Sequence, residues 1–445
     1  MENRIPRGTP VAALLAVLLP LSGTGVHAAK QVGYLPAAKD RPWSDREIEL
    51  ATWSRFRPSA LSMTFDDNST GQFEKALPWM DAVGIRGTFF VIPDRMNADA
   101  WNRARVAAAN GHEIGSHTLS HLVLAKETAA RQEEQLAGSK RVIDSLIPSQ
   151  KCLTLAYPYG VHDSVTLALT RRYYIAARVV GSYLNSAAPG DMYVVEGRGP
   201  EPKMDVHAYN SRLRDADSKG AWLVEMYHGI EDEGSEPIRL DWFRQHLGEI
   251  KAQESIVWAA PFVDVAEYIA ERQCAQARYL SRSDSKVIIN LQDTLPDSIY
   301  RQPLGLKIPL PPGWTGAEAE QAGAPMWCVI RMTPQGPCIL FEGIPDRGPI
   351  VLTRRSGAEM GNTLSGKWDD ASGPSSYRIR MTEGSWLSTR ILNVKGARVG
   401  SGSAPLWPGG SMIDGSNSPY KSVRGVTLSP VRVRYLDINP AVTVR

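Results

Sequence analysis

Between about residue 58 and residue 275, short apolar runs alternate with stretches of helix length, and this alternation constrains the fold more than any other feature of the chain. Ala60-Leu61-Ser62-Met63-Thr64-Phe65 and Gly87-Thr88-Phe89-Phe90-Val91-Ile92 read as buried strands, and the runs 151–157, 174–180 and 221–227 continue the series. Helix candidates lie at 73–83, 97–110, 126–146, 165–170 and 240–252. Strands regularly separated by helices predict a parallel sheet, closed as an α/β barrel or open and doubly wound.

After a helix-like stretch at 263–277 the texture changes. Short strand candidates at 287–291, 304–308, 327–332 and 338–341 stand among Pro and Gly turns, the pattern of a small β-sandwich. Beyond about 355 the chain is rich in Gly, Ser and Trp, with a last alternating run at 431–435. The expected division of the 445 residues is a signal peptide (1–28), a lead-in (29–57), an α/β domain (58–278), a β-sandwich-like domain (284–355) and a β-rich, Gly/Ser-rich extension (356–445). Trp314, Trp327, Trp368, Trp386 and Trp407 are scattered through the last two segments. Aromatic faces stack on sugar rings, so a carbohydrate-binding accessory module is one reading, and core packing is the simpler one.

Arg4 and Arg7 precede an apolar stretch from Val11 to Leu21 that runs into Ser22-Gly23-Thr24-Gly25 and ends at Ala28. That is the three-part layout of a secretory signal, and it predicts export to the periplasm or the extracellular space after cleavage near Ala28. The run is too short to span a bilayer and holds Pro20, and no later segment is apolar enough, so no transmembrane segment is expected in the mature protein. Export puts the four cysteines in an oxidising compartment, where Cys328 and Cys338, flanking a turn-rich loop, could form a hairpin disulfide. Fifty basic residues against forty-seven acidic ones, with no long Lys/Arg block, give no basis for a nucleic-acid surface.

The chemistry is concentrated in a few short motifs. Thr64-Phe65-Asp66-Asp67 puts adjacent carboxylates at the end of a buried strand, where barrels and parallel sheets build their sites. The two point in different directions, so one can hold a metal while the other moves a proton; the same residues also suit a turn or a helix cap. His117 and His121 are four residues apart. On a helix that spacing stacks two imidazoles on one face, although Gly111-His112-Glu113-Ile114-Gly115-Ser116 before them reads as a strand and turn rather than a surface helix. Two histidines and one carboxylate leave coordination positions open for water and substrate, as in a catalytic zinc site.

Together these residues resemble the polysaccharide deacetylase family, the NodB-homology group known as carbohydrate esterase family 4. Thr64 to Asp67 is similar to its first motif, Gly111 to His121 to its second, Ala156-Tyr157-Pro158-Tyr159-Gly160 to its third, and Glu225-Met226-Tyr227-His228-Gly229 to its last. The resemblance implies a distorted or incomplete (β/α) barrel over roughly half of the chain. It also implies that Asp67, His117 and His121 bind one divalent ion, Zn²⁺ or in some members Co²⁺ or another metal. Asp66 would be the general base for the attacking water, and His228 the acid that protonates the leaving group. The Tyr159 backbone N–H would stabilise the oxyanion, and Tyr159 and Trp222 would contact substrate.

The chain departs from the family at Ala156, where many members carry an Arg that orients the base. Arg178, on the next strand candidate, could supply that charge. The aspartate of a further family motif is not identifiable, with Asp205, Asp215 and Asp217 as candidates. The expected activity is hydrolysis of N-acetyl groups on an acetylated carbohydrate polymer or oligomer, a carbon–nitrogen bond outside peptides. The alternatives are an O-acetyl esterase, as on acetylated xylan, a small-molecule amide or imide hydrolase on the same fold, and a non-catalytic carbohydrate-binding protein.

Overall fold

Strands buried on both faces have to be covered on both. The computed structural model describes residues 44–200, 204–231 and 236–355, with strand backbone at 363–370, 373–381, 386–392 and 398–405. The expected signal segment, the run at 431–435 and Trp407 lie outside the described residues. In chain order the first part comprises β1 (Glu49–Leu50), β2 (Ser59–Asp66), α1 (Leu77–Val83), β3 (Thr88–Val91), α2 (Ala98–Ala109), β4 (Glu113–Ser116), α3 (Ala129–Leu146), β5 (Thr154–Ala156) and α4 (Ser164–Tyr173). It continues through β6 (Ala176–Val180), β7 (Val195–Gly197), α5 (Val206–Lys219), β8 (Trp222–Tyr227), α6 (Leu240–Ala252), β9 (Val257–Ala259) and α7 (Phe262–Cys274).

The strands run parallel in the order β7-β6-β5-β4-β3-β2-β8, and a parallel bridge between Arg198, just past β7, and Glu225 of β8 closes the ring. Arg198 N donates to Val224 O at 2.8 Å and Met226 N to Arg198 O at 3.0 Å. β9 pairs with the first residues of β2, and β3 with its last ones. The distorted (β/α) barrel is therefore the observed fold.

Period-two alternation decides what faces inward. Leu61, Met63 and Phe65 of β2 join the core under the helices, whereas Ala60 joins an interior cluster with Phe90, Ala156, Ala176, Val195, Trp222 and Val224. The same alternation turns Asp66 inward at the C-terminal end of β2. Trp53 and Phe262 fill the opposite end, with Trp53 Nε1 donating to Gly220 O at 3.1 Å.

The second part is a β-sandwich built from β10 (Gln276–Arg282), β11 (Lys286–Gln292), β12 (Leu304–Pro309), β13 (Ala317–Gln321), β14 (Ala324–Met326), β15 (Cys328–Thr333), β16 (Gly336–Gly343) and β17 (Ile350–Arg354). Its sheets, β1-β12-β16-β15 and β10-β11-β17-β13-β14, enclose Val287, Ile289, Leu306, Phe341, Ile350 and Leu352. Two features tie it to the barrel: β1 comes from the lead-in, and Tyr268 of α7 lies in the sandwich core with its hydroxyl on Ala51 O at 3.0 Å. Trp314 is buried in the same core and donates to Asp284 O at 2.7 Å, which removes it as a sugar platform. β18 (Thr363–Asp370), β19 (Gly373–Met381), β20 (Trp386–Leu392) and β21 (Arg398–Pro405) form an antiparallel meander.

The hairpin disulfide is corrected by register. The turn between β15 and β16 sets Cys328 opposite Phe341 and Cys338 opposite Arg331, so the two thiols fall three places apart and on opposite faces. All four cysteines are free.

The end of the barrel away from Asp66 carries buried acids. Glu113 Oε2 accepts from Thr88 Oγ1 at 2.7 Å and from Val263 N at 2.9 Å, and Glu271 Oε2 accepts from Gln302 N at 2.8 Å. Burial pushes Glu113 up to about 7, and Glu267 and Glu271 up to about 8. These groups hold their protons in the folded chain at pH values where the unfolded chain has already released them. Their stabilisation is complete below the ordinary carboxyl value of 4.5 and is lost as pH rises toward about 8. Thermal melts should show Tm falling from pH 5 to pH 8, and Glu267→Gln should flatten the fall. A Tm independent of pH over that range would contradict this.

Candidate active site

Asp66 ends β2 pointing inward and is buried. Arg178, inward on β6, crosses the interior and its Nη2 makes a short ion pair with Asp66 Oδ2. The crossing depends on Gly197 of the neighbouring strand, because a Cβ there would lie 2.5 Å from Arg178 Cδ. Arg178 Nη1 also sits 2.8 Å from Met226 Sδ, and its guanidinium lies 5.6 Å from the Phe90 ring centre. Burial pushes the Asp66 carboxyl up, but Arg178, then His117 and His228, more than reverse this and hold it below the usual carboxylate range. A buried, ionised carboxylate therefore faces the mouth of the barrel.

Asp67 turns out of the strand at φ 75°, and Asn68 follows at φ 61°. His117 and His121 lie on the loop between β4 and α3 rather than on a helix. Thr118 and His121 both take left-handed backbone angles, φ 63° and 65°, and the Thr118 hydroxyl accepts from His121 N at 3.1 Å. A β-branched residue there is strained, at about 1–3 kcal/mol, and such strain is typical of functional loops. The result brings Asp67, His117 and His121 together, with their ligand atoms within 4.8 Å of one another. His121 Nε2 lies 3.3 Å, and His117 Nε2 3.7 Å, from Asp67 Oδ1.

The three residues fit a divalent cation. His117 Nδ1 is 2.8 Å from Ala156 O, which fixes the proton on Nδ1 and leaves the Nε2 lone pair facing Asp67. Burial lowers His117, and burial with the neighbouring His117 pushes His121 down to about 4, so both rings are neutral, the form that binds metal. Asp67 Oδ1 is buried without a hydrogen-bond partner. One carboxylate and two neutral imidazoles form the donor set of an open catalytic site.

The other expected residues divide. His228 follows β8, with its Nδ1 3.6 Å from Glu236 Oε2. Tyr159 lies at φ 61°, its ring exposed and 4.7 Å from the His121 ring. Gly160 after it is required, since a Cβ would lie 2.6 Å from Val180 N. Trp222 is corrected: it starts β8 at the far end of the interior, is 0% exposed, and packs on Phe262 while donating to Ser62 Oγ at 3.1 Å, so no sugar can reach it. Asp205 caps α5 and Asp215 pairs with Lys219, while Asp217 lies in the last turn of the same helix.

Sequence reasoning missed Gln72, whose buried amide donates to Asp66 O and, at 2.6 Å, to His228 O, joining the ends of β2 and β8. It missed Asn68 and Arg95 as well. Asn68 directly follows the first motif, in the run Asp66-Asp67-Asn68-Ser69, but Gln72 and Arg95 carry no local signal.

Residues 54–177 match the family model described as polysaccharide deacetylase. A gellan lyase from a Bacillus species is 25% identical over 350 residues, 73% of this chain and 14% of the relative. A chitin deacetylase from a Pestalotiopsis species is 29% identical over 92 residues, 20% of this chain and 31% of the relative. The chain thus spans less than a third of either protein. The solved peptidoglycan deacetylase PdaC from Bacillus subtilis aligns at 13% identity and a TM-score of 0.37, covering 50% of this chain and 95% of that one.

Proposed function

We propose that this chain, whose residues 54–177 belong to the polysaccharide deacetylase family, is an exported metal-dependent hydrolase that removes N-acetyl groups from a carbohydrate, with residues 58–278 as the catalytic domain. The observation that carries the reading is the convergence of Asp67, His117 and His121 beside an arginine-held Asp66. Asp67, His117 and His121 would hold one divalent ion, Zn²⁺ in our reading. When bound, such an ion supplies a Lewis acid and lowers the pKa of water toward about 7.

The chain's own groups do the rest. Asp66, ionised and aimed by Arg178, takes the proton from the attacking water. The Tyr159 N–H stabilises the developing oxyanion. His228 gives a proton to the departing amine, which cannot leave as an anion. Gln72 keeps the strand ends carrying base and acid in register. A chitin deacetylase and a gellan lyase among the relatives support carbohydrate as the substrate class.

Acetate release from chitin oligomers, poly-N-acetylglucosamine, peptidoglycan and acetylated xylan tests the reading. We expect release from at least one N-acetylated polymer. Release from xylan alone would replace the amide by an ester, and no release from any would overturn the assignment.

A further inference from the structure

Arg95 is a cation that the reaction above does not use. It belongs to the turn at 93–95 after β3, and half of its side chain is exposed. Loops bearing the proposed metal ligands pin that turn from two sides. Asn68, next to Asp67, donates to Ile92 O and accepts from Ile92 N, both at 2.9 Å. Asp94 N donates at 3.0 Å to Leu119 O, which lies between His117 and His121. Pro93 is buried beneath them. A long cationic side chain is thus mounted on a fixed backbone at the rim of the site.

The Arg95 ion pair is long, with Nη1 3.9 Å from Asp67 Oδ1. A divalent ion held by Asp67 would take up that carboxylate's charge and leave the guanidinium to pair with another anion. Guanidinium matches carboxylate with two parallel hydrogen bonds, a match that hydroxyls do not reproduce.

We propose that Arg95 binds a carboxylate on the sugar ring next to the acetylated one, which makes the substrate an acidic polysaccharide. The inference rests on the site reading above. The carboxylate has two chemical sources, the C6 group of a uronic acid or the lactyl ether of a muramic acid, and the test separates them.

Calorimetry on the metal-loaded full chain would use three tetrasaccharides in which N-acetylglucosamine alternates with glucuronic acid, with muramic acid, or with neutral glucose. The wild-type protein should bind one of the two acidic compounds about ten-fold tighter than the neutral one, the scale of a charge-assisted hydrogen bond. Arg95→Gln should lose that preference while keeping its affinity for the neutral compound and binding Zn²⁺ at least as tightly. Equal wild-type affinities, a uniform loss in the variant, or weakened Zn²⁺ binding would overturn the proposal, the last by showing that Arg95 acts through Asp67. Acetate release from the same compounds keeps the two readings apart. Selective binding without acetate sinks the deacetylase assignment alone, and release with no selectivity in binding sinks Arg95 alone.

Discussion

Asp66→Asn should keep its metal and lose about 10²–10⁴-fold in kcat at saturating metal, the usual worth of a general base. Asp67→Asn should lose metal first, because a neutral amide oxygen is a poor donor to a divalent cation, and excess metal should restore part of its rate. The structure separates the two carboxylates physically. Asp66 points inward onto Arg178, whereas Asp67 turns out at φ 75° toward His117 and His121. Metal content and turnover measured on the same preparations decide between the roles. An active Asp66→Asn, or one that loses metal while Asp67→Asn keeps it, would reverse the assignment.

Arg178→Met should lower stability by about 3–5 kcal/mol, the cost of leaving one member of a buried ion pair without its partner. Asp66 and Arg178 are both almost fully buried, so neither charge can turn to water. Activity should fall with stability, because the carboxylate loses the group that aims it. The double variant Asp66→Asn with Arg178→Met should recover much of the stability and none of the activity, since it removes both charges and still lacks the base. Denaturant unfolding of the wild type, both single variants and the double variant measures the coupling directly. A near-additive double variant would show that the pair does not matter to folding, and a single Arg178→Met with wild-type rate that it does not matter to catalysis.

Much of this architecture can be read from the chain because its signals are local. β2, β3 and β8 are predominantly apolar, fully buried runs, and the residues that meet at the site sit at or just beyond strand ends. β7 and β9 have three residues each, too few to show a period. α5 was hidden by its own burial pattern: Val206, Tyr209, Leu213 and Ala216 are buried, but so is Arg212, which reads as a surface residue. The Arg178–Asp66 pair depends on Gly197, two places along β7 from Arg178's register partner Val195, leaving room for the Arg178 side chain, a relation known only once β6 and β7 are paired. Trp222 misled for a related reason. Its identity suits sugar stacking, but being first on β8 places it at the end of the barrel filled by Phe262.

The most direct test of the account is acetate release, from whichever N-acetylated polymer the untreated protein turns over, by protein stripped with a chelator and then titrated with Zn²⁺. Activity should vanish on stripping and return in proportion to Zn²⁺ up to one ion per chain, with Asp67→Asn needing far more metal for the same rate. A stripped protein that releases acetate at the untreated rate would contradict it.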